Sequence, residues 1–134
     1  MLLLDASVWV AAGAPVDRYH AASAALVRDT DCPVGALDLT LYEVANAMGV
    51  KHRQPEEARK LHLLIQRSCG DRLLRVDVDL LTSAVEVAAE HGLTAYDAAY
   101  VAAAEAHGWT LVSTDLADLV SKGLAVTPDA ADYP

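Results

Sequence analysis

One stretch, Thr94 to Asp118, limits the fold of this chain more than any other part. It reads as a helix, a Gly turn, a strand and the start of another helix. Thr94 is suited to an N-cap, which places Asp97 in the first helical turn. The Ala-rich run after Asp97, with Tyr100 and Val101, lets the helix lie close on a sheet. His107-Gly108 is a helix stop. Trp109 to Ser113 is an apolar run of strand length, and Asp115 stands just past its end. In an open parallel sheet, ligands bind beyond the carboxyl ends of the strands. Asp115 is therefore expected on the rim where chemistry occurs, and Asp97 reaches the same rim if its helix starts there.

The rest of the chain repeats this alternation. Strands are expected at Met1–Leu4, Pro33–Leu37 and Leu73–Val76, with a short edge strand at Leu124–Val126. Helices are expected at Ser7–Ala12, Asp17–Asp29, from Thr40, from Pro55 to about Ser68, from Asp77 or Asp79 to His91, and at Leu116–Ser121. Pro55 fits a first helical position. Gly70 and Gly92 follow helix ends. Strands alternating with helices, without a hairpin signal, predict α/β architecture: a parallel sheet with right-handed crossovers and helices on both faces. The 134 residues suit a single domain spanning 1–134, with a polar tail over about 128–134.

Composition narrows the setting. No apolar run approaches the roughly 20 residues of a membrane span. The start of the chain holds Asp5 and no basic segment, unlike a signal peptide. Cys32 and Cys69 form no metal-binding pattern, and reduced thiols in a cytoplasm are the simple reading. The net charge of −9 argues against nucleic-acid binding through overall charge. Residues 51–75, however, carry seven basic residues against three acidic, a net +4, while the remainder is −13. That stretch is either a solvated helix face or a grip for a phosphate backbone, with Lys51, Arg53 and Arg59 as leading candidates for RNA contact.

Four carboxylates stand out: Asp5, Glu43, Asp97 and Asp115. Each has an ordinary explanation. Thr40-x-x-Glu43 reads as a capping box. Asp97 favours a helix dipole, and Asp5 and Asp115 suit N-caps after strands. Taken together, they fall at strand ends or first helical turns, positions that gather on one rim of a doubly wound sheet. Gathered carboxylates repel one another, and a hard cation removes the repulsion. Mg²⁺ suits such oxygen ligands and can polarise a phosphodiester and activate water. Asp5 and Asp97 are expected to be the most direct ligands, with Glu43 and Asp115 acting directly or through water. His20, His52 and His62 show no ligand spacing, and His91 and His107 each precede a helix-ending Gly.

Leu4-Asp5-Ala-Ser7, Glu43-Val-Ala-Asn46, Tyr96-Asp97-Ala-Ala-Tyr100 and Val112-Ser113-Thr114-Asp115 occur in that order. Together they resemble the PIN-domain ribonucleases and, within them, the VapC toxins of bacterial toxin–antitoxin pairs. The match covers nearly the whole chain without a departure that would predict an inactive enzyme. The resemblance implies a PIN-like three-layer α/β/α sandwich with a central parallel sheet of four to five strands. It also implies Mg²⁺- or Mn²⁺-dependent endoribonuclease activity, a homodimer, and a cognate VapB-like antitoxin through which any DNA contact is indirect. Asp5, Glu43, Asp97 and Asp115 match the family's acidic quartet; Ser7, Asn46 and Ser113 match its supporting polar positions. Asp118 is an extra acid, read either as outer support or as a solvated helix residue.

The high apolar fraction, 54%, exceeds what one small core hides. Helices near Ser7–Ala12 and Leu41–Val50 flank the acidic rim and suit an antitoxin tail. An Arg from that tail is expected to enter the pocket and compete with metal.

Other classes remain at this stage. A HAD-type phosphatase wants a second acid two residues after the first, where Ser7 stands. A receiver domain wants a Lys near residues 110–116, and none is there. A PIN nuclease of RNA processing without a toxin role, or a non-catalytic interaction module, would share most of these features.

Overall fold

The computed structural model describes residues 1–132; Tyr133 and Pro134, the end of the expected tail, lie outside the described residues. The elements are β1 (Leu2–Leu4), α1 (Ala6–Ala12), α2 (His20–Arg28), β2 (Val34–Leu37) and α3 (Leu39–Val44). A π-helical segment, Ala45–Lys51, follows α3. Then come α4 (Pro55–Cys69), β3 (Leu73–Leu74), α5 (Val78–His91), α6 (Ala95–His107) and β4 (Thr110–Val112).

The four strands form a parallel sheet in the order β3-β2-β1-β4. Leu3 pairs with Gly35 on one side and with Leu111 on the other. The chain builds outward from β1 to β2 and β3, then returns to place β4 on the opposite side of β1. The switch point is therefore between β1 and β4, and their carboxyl ends open the crevice that such sheets use for ligands.

Alternation along the strands divides the core in two. Leu2, Leu4, Val34, Ala36 and Val112 pack with Trp9 of α1, Leu26 of α2 and Leu61 and Ile65 of α4. Leu3, Leu37 and Leu111 face the other way, toward Ala84 and Val87 of α5 and the Ala-rich side of α6. This is the period-two pattern of a sheet covered on both faces. Each buried Leu contributes about 1.5–3 kcal/mol relative to exposure. The expected three-layer α/β/α sandwich is present.

Local boundaries follow local chemistry. Asp77 caps α5 by accepting the Leu80 N–H at 2.9 Å, and Thr94 caps α6 by accepting the Asp97 N–H at 3.2 Å. Gly92 and Gly108 close the two helices at φ 66° and 65°, where a side chain would be strained.

Several expected elements are shorter or different. α2 starts at His20 because Asp17 accepts the Tyr19 N–H and holds a turn before it. β3 ends at Leu74 because the Val76 N–H goes to the Asp38 carboxylate at 3.1 Å rather than to a ladder carbonyl. The expected strand Leu124–Val126 reduces to one bridge, Val112 to Val126. Leu116–Val120 is a π-type turn capped by Asp115. Within the tail, Pro128–Ala130 forms a 3₁₀ turn. Among the described residues, no helix is long and apolar enough to cross a membrane.

Gly35 is required by a close approach. A Cβ at this position would lie 2.5 Å from Trp109 Cζ3 and 3.1 Å from the Arg72 carbonyl oxygen. Gly35→Ala should destabilise the protein by about 1–3 kcal/mol through overpacking. The measurement is the urea midpoint, and an unchanged midpoint would contradict the packing described.

Candidate active site

The end of β1 places Asp5 at the switch point. Its backbone N–H donates to the Val112 carbonyl at 3.2 Å, tying the carboxyl ends of β1 and β4 together. Its side chain caps α1, accepting the Val8 N–H at 3.3 Å, and also accepts from the Ser7 hydroxyl. Asp5 is only 5% exposed. Burial pushes its carboxyl up to about 6, against the hydrogen bonds from Ser113, Ser7 and the Val8 N–H; the negative charge of Glu43 adds to the rise.

The two serines join this carboxylate to the loop that leaves β4. Ser7 Oγ accepts the Thr114 N–H at 2.9 Å, and the buried Ser113 Oγ accepts the Asp115 N–H at 3.0 Å. Each hydroxyl thus receives a backbone proton and directs its own toward Asp5. Ser7 and Ser113 stand between Asp5 and the loop that leaves β4.

Asp115 follows β4 and accepts the Asp118 N–H at 2.9 Å. Asp97 lies in the first turn of α6. One carboxylate oxygen from each of Asp97, Asp115 and Asp118 lies within 4.8 Å of the other two. Burial raises the Asp97 carboxyl, and the charges of Asp115 and Asp118 raise it further; Thr94 and Lys122 oppose them. Asp118 is exposed and is one of this group of three.

Glu43 approaches from α3. Burial raises its carboxyl, a hydrogen bond from Tyr100 lowers it, and the Asp97 charge raises it again. The Tyr100 hydroxyl donates to Glu43 Oε1 at 2.7 Å. Burial and the adjacent Glu43 charge hold the Tyr100 phenol well above its usual range, which keeps it a donor. The capping box expected of Thr40 and Glu43 is absent. Asp38 occupies the N-cap position of α3, the buried Thr40 bonds Tyr100 at 2.8 Å, and Glu43 turns to the same tyrosine. A long-range partner has replaced the local one.

The mutual electrostatic effects link Asp5 to Glu43, Glu43 to Asp97, and Asp97 to Asp115 and Asp118. All four acids of the expected quartet therefore belong to one neighbourhood. Asn46 is exposed on the π-helical segment and, with Glu43, Tyr42, Tyr96 and Lys51, lines a groove of about 700 Å³ beside them. Lys51, Arg53 and Arg59 are exposed. Arg53 has φ 52°, and Arg59 is paired with Glu56 on its own helix.

Sequence reasoning passed over three contributors. Lys122 donates to the His91 carbonyl at 2.8 Å while its charge acts on Asp97; nothing near it in sequence signals this. Tyr100 read as a packing residue and Thr40 as a cap. A signal was available: Tyr100 is three residues after Asp97, and Thr40 three before Glu43, so each shares a helix face with an acid.

The PIN domain family model matches residues 2–119. Ribonuclease VapC3 of Pyrobaculum aerophilum is 35% identical over 122 residues, covering 85% of this chain and 88% of that protein. The crystal structure of Mycobacterium tuberculosis VapC20, a toxin that cleaves the sarcin–ricin loop, superposes with a TM-score of 0.77 at 20% identity, over 92% of this chain and 95% of that one. A toxin–antitoxin complex from Klebsiella pneumoniae has a chain that superposes with a TM-score of 0.70 at 20% identity, over 96% and 98%. With its acids gathered at the switch point and its matches extending over most of its length, the chain belongs to the PIN-domain family, in the branch of the VapC-type ribonucleases.

Proposed function

We propose that the protein is a divalent-metal-dependent endoribonuclease of the cytoplasm, acting as the toxin of a VapBC-type pair. The observation that carries this reading is the convergence of Asp5, Glu43, Asp97, Asp115 and Asp118 on the β1–β4 rim. The donor set fits a hard cation. It consists of carboxylate oxygens, and Asp97 feels the repulsion of both Asp115 and Asp118. Mg²⁺ or Mn²⁺ would fit such a set. Asp97, Asp115 and Asp118 present the most closely spaced oxygens, and Asp5 and Glu43 complete the set from the buried side. When bound, the ion supplies polarisation of the phosphodiester and a water of lowered pKa. The chain's own residues do the rest. Ser7 and Ser113 fix Asp5, Tyr100 fixes Glu43, and Asn46 stands at the groove mouth as a donor and acceptor for water or RNA.

An acidic centre repels RNA, so the grip must come from cations nearby. Lys51 lines the groove that also touches Glu43, and Arg53 follows two residues later. Arg59 is already engaged by Glu56 and is expected to contribute less.

Two protein partners complete the reading. Val78, Leu81 and Val85 expose one stripe of α5, and Tyr42 and Tyr96 are 76% and 62% exposed. Leu81 shares an apolar groove with Tyr42 and Tyr96, and such a face suits a second copy of the chain, paired about a two-fold axis. A VapB-like antitoxin tail would lie along the grooves beside the acids, with an Arg paired to their carboxylates and in competition with metal. The similarity to a chain from a toxin–antitoxin complex supports that partner.

RNA cleavage should require added Mg²⁺ or Mn²⁺ and stop in EDTA. Losing partners that only orient a metal ligand costs about 10–100-fold, so Asp97→Asn should cost about 100-fold or more. The variant's metal-free stability should be equal or higher, because one repelling charge is gone. Wild-type cleavage by Asp97→Asn, measured on a defined oligoribonucleotide, would falsify the assignment.

Stability should report the buried acid as well. The Asp5 carboxyl is raised above its ordinary value to about 6, so its contribution is present in full below the unfolded value and lost as pH rises through about 6. The raised Glu43 and Asp97 carboxyls act in the same sense. In EDTA, the melting temperature should fall between about pH 5 and about pH 7, and excess Mg²⁺ should reverse the fall. Asp5→Asn should flatten the profile. A melting temperature that rises over this range in EDTA would contradict the linkage.

For the basic stretch, Lys51→Ala and Arg53→Ala should each lower the slope of log affinity against log salt by about 1, while Arg59→Ala should change it less. The measurement is RNA binding by the Asp97→Asn protein across a salt series. Unchanged slopes would assign these residues to a solvated face.

A further inference from the structure

Tyr100 is 1% exposed, and its hydroxyl is the middle link of a one-way chain of hydrogen bonds. The Leu37 N–H donates to Thr40 Oγ1 at 3.3 Å, Thr40 Oγ1 and Tyr100 OH are 2.8 Å apart, and Tyr100 OH donates to Glu43 Oε1 at 2.7 Å. Each hydroxyl has a single proton, and an ionised carboxylate only accepts. The Tyr100 proton therefore goes to Glu43. Thr40 must then donate to Tyr100, and the Thr40 oxygen is left to receive the Leu37 N–H. The order is fixed from the last residue of β2 to one named oxygen of Glu43.

Satisfying a buried phenol does not require this arrangement. Thr40 alone gives the hydroxyl a partner, and Phe would fill the same volume. What the second bond adds is a restriction on Glu43, because it holds the carboxylate in one orientation and takes up one of the lone-pair sites of Oε1, leaving Oε2 the less encumbered oxygen. We propose that Tyr100 is a positioning residue that makes Glu43 serve the divalent cation through a single oxygen. The inference rests on the metal-dependent reading above.

The restriction has a chemical consequence. Mg²⁺ demands near-ideal octahedral geometry, whereas Ca²⁺ accepts six to eight oxygens and takes carboxylates in either mono- or bidentate fashion. Freeing Oε1 should thus harm Mg²⁺ binding while leaving Ca²⁺ binding intact or tighter. A general loosening of the site would weaken both ions together.

The experiment measures Mg²⁺ and Ca²⁺ dissociation constants by calorimetry for the wild type, Tyr100→Phe, Thr40→Val, Glu43→Gln and the Tyr100→Phe/Glu43→Gln double variant, with folding checked by circular dichroism. Tyr100→Phe removes one charge-assisted hydrogen bond, so the Mg²⁺ constant should rise about tenfold while the Ca²⁺ constant holds or falls. Thr40→Val should shift the ratio in the same sense by less, and it carries the test if Tyr100→Phe does not fold. In the Glu43→Gln background, Tyr100→Phe should have no further effect on Mg²⁺. With Mg²⁺, kcat for RNA cleavage should fall at unchanged KM. Equal weakening of both ions, or no change in either, overturns the positioning role while leaving the metal-dependent reading in place. A wild-type protein that binds neither ion overturns both.

Discussion

A carboxylate buried at the centre of a sheet's carboxyl rim is the condition on which the rest of this site depends. Asp5 cannot move away from the rim, because its backbone N–H joins β1 to β4 and its side chain opens α1. Its desolvation must therefore be offset where it stands. Ser7, Ser113 and the Val8 N–H supply donors, and the serines in turn accept the backbone of the β4 exit loop. The loop that carries Asp115 is thus anchored by the same bonds that make Asp5 tolerable. Burial of one acid sets the position of another.

The far side of the site depends on side-chain size. Every residue from Ala98 to Ala104 in α6 is buried, and five of the seven are Ala. Small residues bring the helix axis close to the sheet, which carries Asp97 to the rim and leaves room for one large polar side chain, Tyr100. Its hydroxyl crosses to α3 and meets Thr40 and Glu43. The close-packed helix and the reach to Glu43 are one arrangement, since a bulkier α6 would hold Tyr100 out of range.

The layered fold was readable because it rests on local and periodic signals. Gly92 and Gly108 end helices, the strands are short apolar runs, Asp5 and Asp115 sit where strand patterns give way to helical ones, and Asp97 follows the Thr94 cap in a first helical turn. What escaped depends on contacts distant in sequence. The pairing of Thr40 with Glu43 imitates a capping box so closely that only the position of Tyr100 reveals its other use. β3 loses two residues because Asp38, far upstream, takes the Val76 N–H. Lys122 joins the acids through the fold alone. The closeness of Asp118 to Asp97 and Asp115 depends on the tight turn after β4, whose π form no apolar period specifies. The same limit hid the π-helical segment after α3, since its apolar pattern is equally compatible with an α-helix.

That segment, Ala45–Lys51, has a consequence for how the chain tolerates changes in length. A π turn holds one more residue than the α turn it replaces. Removing a single residue from it would restore an ordinary helix and keep Met48 and the start of α4 near the core. Side chains beyond the segment would keep their direction, because the wider turn is what absorbs the extra residue. Asn46 and Lys51 lie within the segment and line the groove beside Glu43. In this part of the molecule, a one-residue deletion would spare the scaffold and re-aim only the polar lining that the widened turn itself carries.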